Sequence, residues 1–205
     1  MRKLRILLPL ILLGLVMLYV PSCGRREPEL HNQISQMRLT DEQQKIVDLI
    51  STINQEVYLF EFNTTEPFTG IEIRLEAYEY GELAETQLGF AALGFDYPLN
   101  GNIAVVINED RYNGTFRWAV TISDGGGSAS GQVVTTPVAE GMRGRAFSAM
   151  NNAVTISNGT EAVLFVSKFT NDGFLEAGGD LQNYLDSNNF ARYPLVQVLI
   201  ASFTQ

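Results

Sequence analysis

Ile103-Ala104-Val105-Val106-Ile107, then Asn108-Glu109-Asp110-Arg111-Tyr112-Asn113-Gly114, then Thr115-Phe116-Arg117-Trp118-Ala119-Val120-Thr121-Ile122: this stretch decides the fold class. A short apolar run is followed by an oxygen-rich loop. A second run follows in which Phe116, Trp118, Val120 and Ile122 alternate with Arg117, Ala119 and Thr121. Period-two alternation of this kind is the pattern of a half-buried strand, and two such runs joined by an Asn/Asp/Gly loop are an antiparallel pair. Trp118 falls on the apolar side of the alternation and is assigned to the core.

The same period extends in both directions. Tyr58-Leu59-Phe60-Glu61-Phe62 is strand-like, and Ile71, Ile73 and Leu75 alternate with Glu72, Arg74 and Glu76. Tyr80-Gly81-Glu82 fits a hairpin turn. Asn158-Gly159, flanked by Ala153–Ser157 and Thr160–Phe169, is the strongest short hairpin signal in the chain. Leu195 to Phe203 is apolar on both faces, as a central, doubly covered strand should be. Ahead of the strands the period is helical. Thr40 and Gln43 make a capping box, and Ile46, Leu49, Ile50, Ile53 and Val57 form one stripe, predicting a helix from Thr40 to about Gln55 packed on a sheet or core. Asp180 is placed to cap a short helix through Leu185, with Leu181, Tyr184 and Leu185 inward. About eight strands with one leading helix and one short C-terminal helix predict a two-layer antiparallel β-sandwich; the alternative is an α+β sheet with the long helix on one face.

Composition narrows the function. Of 205 residues, 45% are hydrophobic and 10% aromatic, which is a globular balance. The chain carries 14 basic and 23 acidic residues, and three of the basic ones (Arg2, Lys3, Arg5) fall at the extreme N-terminus. The acidic remainder has no basic stripe and repels phosphate backbones, so nucleic acid is not the expected partner. There is one cysteine, Cys23, and one histidine, His31. An internal disulfide, a multi-cysteine metal site and a multi-histidine metal site are all excluded, as is a triad built on histidine within the body of the domain.

The N-terminus has the parts of an export signal. Arg2, Lys3 and Arg5 precede the apolar run Ile6–Val20, which is followed by Pro21-Ser22-Cys23-Gly24. The run is shorter than the roughly twenty apolar residues of a spanning helix and suits a signal-peptide core. Val20-Pro21-Ser22-Cys23 resembles the lipobox of bacterial lipoprotein precursors, with Pro21 where Ala, Ser or Thr is usual. The resemblance covers residues 1–24 alone. It implies a signal peptide over residues 1–22, cleavage before Cys23, and acyl chains of the palmitate kind on Cys23. Two or more such chains hold a protein stably at a membrane. Residues 23–39 are then the lipid anchor and a polar tether, and 40–205 a single mainly-β domain outside the cytoplasm, at the cell membrane or outer membrane. The residues beyond 24 resemble no family.

Candidate sites within the domain are weaker. Gly125, Gly126, Gly127 and Gly131 lack the Lys and the following helix of a phosphate-binding loop. Glu72, Glu76, Glu79, Glu82 and Glu85 are clustered, but Glu72 and Glu76 on one strand face are roughly 13 Å apart, too far for a glycosidase pair. Arg74 between them suggests neutralisation on a solvated face. Asn108, Glu109, Asp110 and Asn113 offer oxygens without the spacing of a calcium loop. Ser167-Lys168 is not a dyad, because neighbouring strand residues face opposite ways. Arg143 and Arg145 are a small basic spot. Tyr78 and Tyr80 continue the Glu72–Arg74–Glu76 face and are the candidate binding surface for a sugar or peptide, unless a bulge near Ala77 turns them inward.

No catalytic, cofactor or metal motif emerges. The sequence therefore favours a membrane-anchored envelope lipoprotein with a non-enzymatic binding or interaction domain, acting on an envelope protein or polysaccharide. A carboxylate-dependent carbohydrate hydrolase is the first alternative, and a sensory or inhibitory subunit of a membrane partner is the second.

Overall fold

The computed structural model describes residues 32–51, 54–93, 100–110, 112–124, 127–135, 142, 144–173 and 180–205. All lie in the unit that begins at His31 and ends at Gln205. The expectations placed on the signal peptide, Cys23, His31, Gly125, Gly126 and Arg143 fall outside the described residues.

Eleven strands are described: β1 (Gln33–Gln36), β2 (Gln55–Asn63), β3 (Gly70–Glu79), β4 (Glu82–Leu93), β5 (Asn100–Asp110), β6 (Thr115–Ser123), β7 (Ser128–Val134), β8 (Gly144–Ala149), β9 (Val154–Thr155), β10 (Glu161–Thr170) and β11 (Leu195–Thr204). They form a six-stranded sheet in the order β7-β6-β5-β2-β1-β9 and a five-stranded sheet in the order β4-β3-β11-β10-β8, with every pairing antiparallel. The fold is mainly β, two antiparallel sheets in a sandwich.

The alternation in 103–122 builds the core of the first sheet. Ile103, Val105, Ile107, Phe116, Trp118, Val120 and Ile122 are all buried on its inner face. They meet Ile71, Ile73, Leu75, Phe165, Leu199 and Phe203 of the second sheet in one cluster. Aromatic contacts cross the interface: Tyr58 to Phe165 at 4.7 Å, Trp118 to Phe165 at 5.5 Å and Phe62 to Phe203 at 6.2 Å. A bulge at Leu164 lets Leu164 and Phe165 both enter this core.

The second sheet is covered on its outer face too, which explains why β11 carries apolar residues on both of its faces. Val163, Val166, Val196, Val198 and Ile200 pack there beneath Leu181, Phe190 and Tyr193. Two 3-10 helices, Leu181–Leu185 capped by Asp180 and Ser187–Phe190, carry this cover. Leu181 is buried as expected, but Leu185 is exposed, because a 3-10 turn repeats every three residues and carries Leu185 off the Leu181–Tyr184 side.

Four expectations are corrected. The helix, here α1 (Asp41–Ile50), has its Thr40/Gln43 capping box but stops at Ser51, and Val57 belongs to β2. Its stripe does not pack on a sheet: Ile46 is 59%, Leu49 84% and Ile50 56% exposed, and no residue of α1 is buried. Residues 33–36, counted as tether, are strand β1, held between β2 and β9. Asn158-Gly159 is a turn, closed by Thr160 N donating to Ser157 O at 3.0 Å, but it joins strands of opposite sheets and is no hairpin. Turn chemistry is local, whereas the choice of sheet is made by which face each strand must bury.

Candidate functional site

A concave region lies at one end of the sandwich, where the β5–β6 hairpin meets the start of β2 and the start of β8. Ladder registry places it: Gln55 of β2 lies opposite Asn108 of β5, and Asp110 opposite Thr115 of β6. β1 enters at the other end of β2, with Gln33 opposite Asn63. The eight-residue step from Gln55 to Asn63 is about 27 Å at the usual strand rise.

The hairpin is tightened by Asp110. Its Oδ1 accepts from the backbone N–H groups of Tyr112 (3.0 Å) and Asn113 (3.1 Å), and its Oδ2 accepts from Asn113 Nδ2 (2.7 Å). Gly114 completes the turn at φ +65°, a conformation that disfavours any side chain. These hydrogen bonds, led by that from the Asn113 side chain, and the charge of Arg117 hold the Asp110 carboxyl below its ordinary range. β2 is tied on by Glu109 N, which donates to Asn54 O at 2.7 Å.

Arg145 of β8 reaches over from the second sheet. Its Nη1 lies 2.9 Å from Glu109 Oε1, and its guanidinium stands over the rings of Phe116 (5.2 Å) and Phe147 (5.0 Å). Planar, weakly hydrated guanidinium groups suit such a position between aromatic faces.

Two hollows flank this ion pair. The larger, about 780 Å³ and open to solvent, is walled by Asn54, Asn108, Glu109 and Asp110 and by Tyr112, Asn113, Thr115 and Arg117. The smaller, about 300 Å³, has Phe116, Met142 and Phe169 as its apolar wall and Glu109 and Arg145 at its edge. In the larger cleft Tyr112 is 97% exposed at the hairpin tip. Opposite charges are matched there: Glu109 and Asp110 against Arg117 and the neighbouring Arg145.

Tyr78 lies on the outer face of the second sheet, where Phe190 packs edge-on against it at 4.7 Å and its hydroxyl donates to Glu76 Oε2 at 2.6 Å. Tyr80 sits in the β3–β4 turn at φ +50°, 60% exposed. The bulge expected near Ala77 in β3 is not there: the register shifts leave Gln87 and Ala84 of β4 without a ladder partner, while β3 runs unbroken against β11 through Tyr78, and it is Phe190 of the 3-10 layer that covers Tyr78. Tyr78 is thus under cover and Tyr80 in the open, so the pair does not share one surface. Arg74 pairs with one of the two glutamates expected, Glu76, and with Glu161 of β10: Nε is 3.0 Å from Glu76 Oε1 and Nη2 2.7 Å from Glu161 Oε1, and Glu76 is buried, not on a solvated face. Burial opposes the Arg74 charge, but these two partners outweigh it and hold the group above its ordinary value.

Ser167 and Lys168 face opposite sides, as strand geometry requires. Ser167 Oγ donates to Gln197 Oε1 at 3.0 Å in the inter-sheet core. Lys168 is buried under the 3-10 cover, with Nζ donating to Tyr184 Oη at 3.0 Å. In the Asn108–Asn113 loop the carboxylates already serve Asn113 and Arg145, and no group of three His, Cys, Asp or Glu suited to a metal occurs among the described residues. Sequence reasoning found this loop but missed Asn54 and the role of Arg145, whose arrival at the cleft depends on sheet order.

Residues 33–190 match the YgaN domain family. The chain belongs to that family. The match begins at β1, so the YgaN domain includes the strand that sequence pattern had left in the tether, and it supplies the family that the residues alone did not reveal. No curated protein and no solved structure matches the chain.

Proposed function

We propose that this YgaN-domain chain is a cell-envelope lipoprotein, anchored through acylated Cys23, whose sandwich is a non-enzymatic binding module with the cleft at the β5–β6 end as its binding site. One observation carries the reading: the cleft is roomy and polar, yet its carboxylates are spent on architecture, Glu109 on Arg145 and Asp110 on the hairpin turn. Groups fixed in that way hold a ligand in place. A general acid needs its carboxyl raised, whereas Asp110 is held down. The hydrolase alternative also needs carboxyls converging from different elements, and Glu109 and Asp110 are neighbours on β5.

The leader supports the location. A short apolar run ending at the chain's single cysteine has no packing purpose, and β1 starts at the end of the sheet away from the cleft.

Metabolic labelling with a radiolabelled fatty acid tests the anchor: wild type incorporates label and Cys23→Ala does not. A photoreactive phenylalanine analogue at Arg117, activated in intact envelopes, tests the cleft. It is expected to capture a partner or polymer that the same analogue at Glu72, on an outer face, does not.

The exposed stripe of α1 favours a second reading, in which Ile46, Leu49 and Ile50 dock on a membrane partner and regulate it. Shortening residues 25–31, which leaves β1 intact, abolishes regulation on that reading. An unchanged effect removes it.

A further inference from the structure

We infer that the cleft takes an uncharged, hydroxyl-rich saccharide chain. This rests on the cleft being the binding site proposed above, and it adds the ligand's chemical class.

The volume, about 780 Å³, lies within the usual range of small-ligand sites. The lining does not follow the usual apolar pattern. Asn54, Asn108 and Thr115 supply amide and hydroxyl groups, and the side chains of Asn54 and Asn108 make no hydrogen bond among the described residues. An amide both donates and accepts, as a sugar hydroxyl does, so each unengaged Asn can meet a hydroxyl with both of its functions. An acyl chain or an apolar peptide would strip water from these groups and return nothing.

Charge argues against polyionic ligands. A polyanion approaching Arg117 meets Glu109 and Asp110, and a polycation approaching those carboxylates meets Arg117 and Arg145. Asp110 Oδ2, which accepts from Asn113 Nδ2, has a second lone pair with which to accept from a hydroxyl. Tyr112 supplies the remaining element of sugar recognition, an aromatic ring whose face can cover the C–H face of a pyranose. Its backbone is pinned by Asp110 at the hairpin tip, and its ring, 97% exposed, is open to a ligand.

The test uses the full-length chain in detergent micelles, titrated calorimetrically with cellohexaose, chitohexaose and maltohexaose, and with polygalacturonate as a charged comparison. At least one neutral hexasaccharide is expected to bind, with affinity changing by less than about twofold between about 50 and 500 mM salt. Tyr112→Ala is expected to weaken it about fivefold to tenfold, and Asn108→Ala about threefold to tenfold, with thermal melting unchanged in both. Failure of all three neutral probes overturns the inference. So does binding of polygalacturonate alone with a steep salt dependence, or full affinity in both variants. If no saccharide binds but the Arg117 analogue captures a protein in envelopes, the ligand class is wrong and the binding-module reading stands. If neither occurs, both fall.

Discussion

Arg145 of one sheet bonds Glu109 of the other across the open end of the sandwich, Nη1 to Oε1 at 2.9 Å, while Phe116 and Phe147 flank its guanidinium. The two side chains are 34% and 20% exposed, so solvent screens the pair and its Coulombic part contributes below about 1 kcal/mol. The stacking is a separate contribution of about 0.5–1 kcal/mol per ring. Glu109→Gln should therefore lower stability by less than about 1 kcal/mol, an effect that fades in high salt. Arg145→Ala should lose about 1–2 kcal/mol and keep most of that loss in salt. Urea unfolding at two salt concentrations distinguishes the contributions; equal losses for the two variants would show that stacking adds nothing.

Trp118 is fully buried at the centre of the first sheet, and its Nε1 has no hydrogen-bond partner among the described residues. An unmatched buried donor costs stability, so removing the N–H while keeping a ring offsets part of the lost packing. Trp118→Ala should cost about 3–5 kcal/mol and Trp118→Phe less than about 2 kcal/mol. Because Trp118 is the chain's one tryptophan, the comparison is read by circular dichroism in urea. A Phe variant as unstable as the Ala variant would mean that the indole nitrogen is satisfied.

Gly101 on β5 has no room for a side chain: a Cβ there would lie 2.1 Å from Phe62 Cζ and 2.7 Å from Ser123 O. Gly101→Ala should destabilise by about 1–3 kcal/mol through overpacking. Phe62→Leu in the same chain withdraws the ring but not the backbone oxygen, so it should recover part of the loss, with a coupling of at least about 0.5 kcal/mol. Strict additivity of the two substitutions in denaturant titrations would contradict the contact.

What could be seen in the sequence was what is periodic and long. The 103–122 hairpin, the Ile71–Glu76 alternation and the doubly covered β11 all announce themselves because each residue's face is fixed by its neighbours two positions away. β1 holds one apolar residue, Ile34, in four, and β9 is two residues long. Neither is long enough to display a period: β1 exists because β2 offers an edge, and β9 because β1 then offers the next. The stripe on α1 was legible as a stripe, but amphipathicity does not say what covers it. The site was half visible. The oxygen-rich loop was evident, yet the cleft needs Asn54 and Arg145, brought there by β2–β5 registry and by β8 crossing to the other sheet.

Two phenols give the domain a definite alkaline limit. Tyr58, half-buried against Phe165, donates to Glu56, and Tyr78, against Phe190, donates to Glu76. Burial first, and then the adjacent carboxylate, push both hydroxyls above the ordinary tyrosine value of 10.0. The folded chain therefore holds protons that the unfolded chain releases near pH 10. Stability from these groups is fully present below the unfolded value and is lost as the pH rises from there through the folded values. Unfolding free energy should be flat with respect to these two groups below about pH 9 and decline above about pH 10. Absorbance titration of the eight tyrosines should show a late phase that shrinks in Tyr58→Phe and in Tyr78→Phe. In the double variant the alkaline decline should be shallower. A slope identical to wild type in the double variant would mean that Glu56 and Glu76 do not hold these protons, and that the alkaline limit lies elsewhere in the chain.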